Sequence, residues 1–304
     1  MKQKAFGVIQ SYYKHSPVYG GVFYACFFSM HTRIDIVLCG QQSEEEFLLV
    51  VDAIYDRLCQ IEKLGNCYDA DSELAQLNQF AAIRPQPVSH ELYNMLAFCV
   101  DCNARTNGHF DITVHSADYI SDLISKVQLS PKERTLFFQH PGININLSGF
   151  LKGYALESIR DLLRSYEVKD ALVNMGNSSV LALGKHPLID GWRVGFGQNV
   201  VSQNQEQEIL LKDECLTISG NNSFERKHII IPNSGKLVEG KWAVAVVTKS
   251  GAVGEVLSTA LFAADARQWK SLNVFSHDAF VSVPISRLCR TRALIQSFTI
   301  SILP

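Results

Sequence analysis

The chain has 304 residues, 47% of them hydrophobic and 19% charged, with a formal net charge of −2 at pH 7. That is enough chain for one large core or two ordinary ones, and no basic block favours a nucleic acid or an anionic membrane surface. No run reaches the ~18 apolar residues that a membrane-spanning helix needs.

The first twenty residues read as an N-terminal extension. Their apolar part comes late and is broken by Lys14, His15 and Pro17, unlike a signal peptide. Tyr24 and Phe23 are too bulky for a lipoprotein cleavage site ahead of Cys26. From residue 21 to 304 one globular unit is expected, of one or two lobes. Residues 20–40 read as a β-hairpin, with strand period in Arg33-Ile34-Asp35-Ile36. Residues 43–65 form the clearest amphipathic helix, with Ser43 as N-cap, three acids in the first turn and Gly65 at the end. A second helix is expected over about 89–105 and a third from about Ser148. Short strands follow, separated by turn residues: "DALVNMG", "SSVLALG", "GWRVGFG", "EILLKD", "ECLTISG", "KHIIIP" and "KWAVAVVTK". A last helix covers 251–264, and "SHDAFVSVPI" and "ALIQSFTISI" read as closing strands. Helices in one block and strands in another predict an α+β fold of antiparallel sheets packed with helices.

The eight cysteines mostly lie in apolar segments, where Cys acts as a small hydrophobe, and point to a reducing, cytoplasmic compartment. Cys99 and Cys102 make a lone CxxC inside a helical pattern, which is weak grounds for a metal. No Walker-type loop, dinucleotide fingerprint, nucleophile elbow or zincin motif is present. What remains is a set of small polar clusters at element ends. In "NLSGFLKGYA", Ser148-Gly149 and Lys152-Gly153 sit where a helix begins, a place suited to an anion, although taken alone the segment reads first as an ordinary helix start with a closely packed glycine. "TNGHFDITV" reads as a glycine turn into a strand carrying Asp111 and Thr113. His228 opens the apolar strand of "KHIIIPNSG" and is a candidate for proton transfer near neutral pH. Glu255, Ser258 and Thr259 share one face of the last helix, an oxygen-rich patch in an otherwise apolar stretch.

The order of these clusters resembles the ApbE family, the FAD:protein FMN transferases. "YDADSELAQLN", "TNGHFDITV", "NLSGFLKGYA", "VNMGNSSVLALG", "KHIIIPNSG" and "GEVLSTALF" match that family's segments in sequence order, from residue 30 to about Asp265. The resemblance implies Mg²⁺-dependent transfer of FMN from FAD to a Ser or Thr hydroxyl of an acceptor protein, with release of AMP. It implies metal ligands at Glu255, Thr259 and the carbonyl of Leu151, and a general base at His228. Lys152 would join the metal in neutralising the FAD pyrophosphate. Flavin and nucleotide would be held by Tyr68, Ser72, Asn78, Asp111, Asn146, Lys152, Asn174, Ser219 and Gly220.

The departures from the family pattern fall on functional positions. Glu255 replaces an Asp, Asn146 an Asp, Ile231 an Asp and Ile112 a Pro, while the two double-glycine turns are Gly176-Asn177 and Ser148-Gly149. Two other readings therefore stand beside the transferase: a non-catalytic flavin- or nucleotide-binding protein on the same scaffold, and a metal-dependent FAD pyrophosphatase that gives FMN and AMP.

Overall fold

In the computed structural model, which describes residues 10–196, 207–221, 228–239, 243–272 and 281–284, the chain enters through three antiparallel strands. These are β1 (Gln10–Ser16), β2 (Gly20–Ser29) and β3 (Thr32–Gly40), so the hairpin over 20–40 forms and the end of the N-terminal extension pairs with it. A helical block follows: α1 (Glu44–Gly65), α2 (Glu73–Phe80), the short β4 (Gln86–Pro87), α3 (His90–Arg105), β5 (Val127–Ser130), β6 (Thr135–Phe138) and α4 (Leu151–Ser165). The chain then returns to strands with β7 (Asp170–Met175), β8 (Ser179–Leu183), β9 (Trp192–Phe196), β10 (Gln207–Leu211), β11 (Glu214–Gly220), β12 (Ile230–Ile231), β13 (Lys236–Leu237) and β14 (Ala243–Thr248). Helix α5 (Gly251–Ala263) and β15 (Val281–Pro284) come last. The main sheet has eight strands in the order β1-β2-β3-β7-β8-β11-β14-β15, every described pairing antiparallel. The fold is α+β, as expected, and no helix among the described residues is long and apolar enough to cross a membrane.

Strand alternation sorts the sheet into two faces. Ile34, Ile36, Leu38, Val173, Met175 and Leu181 point to the helices and join the main core. Val37, Leu172, Val180, Ala182, Leu216 and Ile218 point the other way, against Trp192 and Leu211 of the β9–β10 hairpin. Trp192 Nε1 donates to the Leu183 carbonyl at 2.9 Å, so the indole is buried with its polar atom satisfied.

Local signals explain most boundaries. Ser43 and Glu46 form a reciprocal capping box on α1, and Ser89 caps α3. Helix α2 and the β4-β6-β5 sheet add to the elements expected from sequence; the cap of α2 is Ser72, a residue for which the family resemblance implies a ligand. The third helix begins at Leu151 rather than near Ser148. Asn146 Oδ1 accepts the Ser148 N–H at 2.8 Å, and this side chain–backbone bond holds the chain in a turn for one more step. Residues 109–114 are likewise a turn, not a strand, because Asp111 Oδ1 takes the Thr113 N–H at 2.7 Å. The strand expected over "KHIIIP" shrinks to Ile230–Ile231. "SHDAFVSVPI" contributes β15, whereas "ALIQSFTISI" lies outside the described residues.

Candidate functional site

Helix α5 is buried along nearly its whole length, between β11 and β14 on one side and the first turns of α4 on the other. The two helices meet through glycine. A Cβ on Gly153 would lie 2.1 Å from the Gly251 carbonyl oxygen and 2.7 Å from Glu255 Cγ. With no side chain at Gly153, the backbone of α4 reaches α5 at the position of its one acid.

That contact brings together residues far apart in sequence. Glu255 is only 4% exposed, and its Oε1 accepts a hydrogen bond from Ser179 Oγ. Ser179 Oγ lies 3.4 Å from Ser178 Oγ, which in turn accepts from Lys152 Nζ. On the other flank, the Ser219 hydroxyl is 2.8 Å from that of Ser258 and 3.2 Å from that of Thr259. Ser179 and Thr217 are register partners on β8 and β11, and Ser219 follows two residues on, so all three face α5. Thr217 Oγ1 is fully buried there with no hydrogen-bond partner among the described residues. Burial pushes the Glu255 carboxyl above the usual carboxylate range, and the positive charge of Lys152 and the Ser179 hydrogen bond pull against it.

Glu255, Ser258, Thr259 and Ser219 offer oxygen alone: a carboxylate and three hydroxyls. Hard divalent cations take such sets, and a cation would offset the cost of burying the charged carboxylate. The residues present fit a cation of that kind. Leu151, the third expected ligand, opens α4 one residue before Lys152, with its side chain packed over Gly65.

The remaining expected residues surround this patch in two groups. Asn146 Nδ2 donates to the Tyr68 hydroxyl at 2.9 Å, and Tyr68 itself is 74% exposed, leaving its ring open to a planar ligand. The Asn146 N–H meets the Ile112 carbonyl at 2.8 Å, joining this loop to the Asp111 turn. Across the same loop, a Cβ on Gly149 would lie 3.6 Å from Thr259 Oγ1. Other side chains are engaged in holding the scaffold. Ser72 caps α2 and donates to the Asn66 carbonyl at 2.6 Å. Asn78 makes a two-way pair with the backbone of Ile145. Asp111 accepts from Thr113 N, Thr113 Oγ1 and Tyr119 OH. Asn174 points to the sheet face away from α5 and bonds Asn177 in the turn that follows, where Gly176 and Asn177 both have positive φ. Gly220 ends β11 opposite Ala243.

His228 is exposed just ahead of β12. Burial lowers the His115 pKa, and the field of His228 adds to it in the same direction. Sequence reasoning does not single out His115, Ser178 or Ser179. A hydroxyl pair where a turn passes into a strand has no distinctive signal until α5 is laid against it.

Residues 30–280 match the model of a family described as the ApbE family. Among curated relatives, the chain is similar to the FAD:protein FMN transferase of Klebsiella pneumoniae (strain 342), at 23% identity over 69% of this chain and 73% of that one. It is similar to the Vibrio cholerae protein of the same name at 26% identity, covering 68% and 71%. Among solved structures, the Vibrio cholerae flavin transferase ApbE superposes with a TM-score of 0.71 at 20% identity, covering 92% of this chain and 98% of that one. A Thermotoga maritima apbe protein gives a TM-score of 0.71 at 19% identity, covering 86% and 94%.

Proposed function

The chain belongs to the ApbE family, and on that premise we propose that it transfers FMN from FAD to a Ser or Thr hydroxyl of an acceptor protein, Mg²⁺-dependently and with release of AMP. The observation that carries this reading is the meeting of Lys152, Glu255 and Thr259 where α4 and α5 cross through Gly153 and Gly251. A bound Mg²⁺ would supply charge neutralisation for the pyrophosphate, held by Glu255, Thr259 and the Leu151 carbonyl.

The chain's own residues divide the rest of the work. Lys152, tethered to Ser178 at the first turn of α4, adds positive charge toward the phosphates. Tyr68 offers an exposed ring to the flavin, and Asn146 fixes its hydroxyl. His228 takes the proton from the acceptor hydroxyl as that oxygen forms its bond to the FMN-side phosphorus. The bond from that phosphorus to the bridging oxygen breaks, and AMP leaves with the oxygen. A reducing, cytoplasmic compartment goes with this reading, supported by the free thiols of every described cysteine.

The test is to incubate the purified protein with FAD, with and without Mg²⁺, and to measure retained FAD, free FMN, protein-bound FMN and AMP by chromatography. A threonine-containing flavinylation peptide serves as acceptor. Mg²⁺-dependent AMP with bound FMN, lost in His228→Ala while FAD binding persists, is the expected result. AMP and free FMN in equal amounts, regardless of acceptor, would instead mean a pyrophosphatase. FAD retained without AMP would mean a binding protein.

A further inference from the structure

Ser179 stands at the start of β8, fully buried, with its hydroxyl committed to Glu255 Oε1. The Glu255 side chain also packs against α4 at Gly153, where an added Cβ would lie 2.7 Å from Glu255 Cγ. Glu255 is thus held at two points, Cγ by α4 and Oε1 by the sheet. A glutamate has three side-chain torsions, and an unrestrained one can present either oxygen, or both, to a cation.

Resting on the metal reading of this site, we propose that Ser179 is a positioning residue that makes Glu255 a one-oxygen ligand and so biases the site toward small octahedral cations. With one lone pair of Oε1 engaged by the serine hydroxyl and that oxygen drawn toward the sheet, Oε2 is the less encumbered oxygen for a metal. Mg²⁺ and Mn²⁺ suit single carboxylate oxygens at short range in octahedral geometry. Ca²⁺ is larger, takes six to eight oxygens and commonly uses both oxygens of a carboxylate, a mode that the Ser179 hydrogen bond opposes. Removing a hydrogen-bond donor that orients a metal ligand typically changes metal affinity ~10–100-fold.

The experiment compares Ser179→Thr with Ser179→Val. These side chains have nearly the same shape and differ in one hydroxyl, so any shared packing defect cancels. Mn²⁺ binding to each full-length protein is measured by electron paramagnetic resonance, and Ca²⁺ is then titrated as competitor. The proposal expects Ser179→Thr to keep the wild-type Mn²⁺ affinity and preference over Ca²⁺. Ser179→Val should bind Mn²⁺ ~10-fold more weakly and lose most of that preference. Equal Mn²⁺ affinity and equal preference in the two variants overturns the role of Ser179. Glu255→Ala separates the role of Ser179 from the metal site itself. Loss of Mn²⁺ in Glu255→Ala with no difference between the Ser179 variants removes this inference alone. Unchanged Mn²⁺ binding in Glu255→Ala removes the metal reading and this inference with it.

Discussion

Replacing Gly153 with alanine tests the helix crossing on which the whole site depends. The new methyl would lie 2.1 Å from the Gly251 carbonyl oxygen, 2.5 Å from its carbonyl carbon and 2.7 Å from Glu255 Cγ. Two of these three obstacles are backbone, so no side-chain rotation relieves them and α4 must move away from α5. Overpacking of a filled core costs about 1–3 kcal/mol, with backbone obstacles at the upper end. Alanine returns about 1 kcal/mol through its better helix propensity. A net loss of about 1–2 kcal/mol remains, which lowers Tm by roughly 1.5–3 °C for a chain of this size. Thermal and urea unfolding followed by circular dichroism would read both quantities. Gly149→Ala is the control, because its methyl would find only Thr259 Oγ1 at 3.6 Å and a Phe110 ring carbon at 3.9 Å, ordinary contacts. It should stay within about 0.5 kcal/mol of wild type. Mn²⁺ affinity should fall in Gly153→Ala although no ligand is altered, since Glu255 is carried on the helix that moves. If Gly153→Ala were as stable as wild type, or less damaging than Gly149→Ala, the close crossing would be wrong and the site built on it with it.

Three further predictions concern the scaffold around the site. Glu91 bridges α3 to α1 and α4 through Arg57 and the Tyr154 hydroxyl; burial raises its pKa, but the Arg57 and Tyr154 hydrogen bonds outweigh that and hold it below the usual range. Its contribution is therefore complete above the unfolded value of about 4.3 and lost as pH falls through the lower folded value, so urea titrations should show Glu91→Gln about 1–2 kcal/mol less stable at pH 7, the gap closing below pH ~4. Asp111→Asn keeps an oxygen for the two Thr113 donors but sets an NH2 against the Tyr119 hydroxyl in a buried turn, and should cost about 1–2 kcal/mol in the same assay. Ser72→Ala removes the cap of α2 together with the bond to the Asn66 carbonyl. About 1–2 kcal/mol of stability should go with it, while FAD binding measured by fluorescence should weaken less than in a Tyr68→Ala variant.

Much of the fold is legible in the amino-acid sequence, because its signals are local. The Ser43–Glu46 capping box, the amphipathic period of α1 and the Gly and Asn turns between strands each act over a few residues, and each appears where the sequence puts it. The departures have local causes as well. The short side chains of Asp111 and Asn146 capture nearby backbone N–H groups, replacing a strand with a turn and delaying α4 by one step. Helix α2 is only eight residues long, too short for a clear period, and without that helix in view nothing marks Ser72 as its cap.

From the sequence alone come the α+β class, the family, and a small oxygen-rich face on an apolar helix, since periodicity and motif order survive without coordinates. Which residues stand opposite that face is a tertiary matter. Ser179 and Glu255 are 76 positions apart, and Lys152 is hydrogen-bonded to Ser178, the residue before Ser179. Register between β8 and β11 puts Ser179 and Thr217 toward α5, whereas strand alternation turns Asn174 to the opposite face. Burial, not composition, raises the Glu255 pKa. Such pairings depend on sheet register and helix crossing, which are set by the packing of the whole core and leave no mark on any single segment.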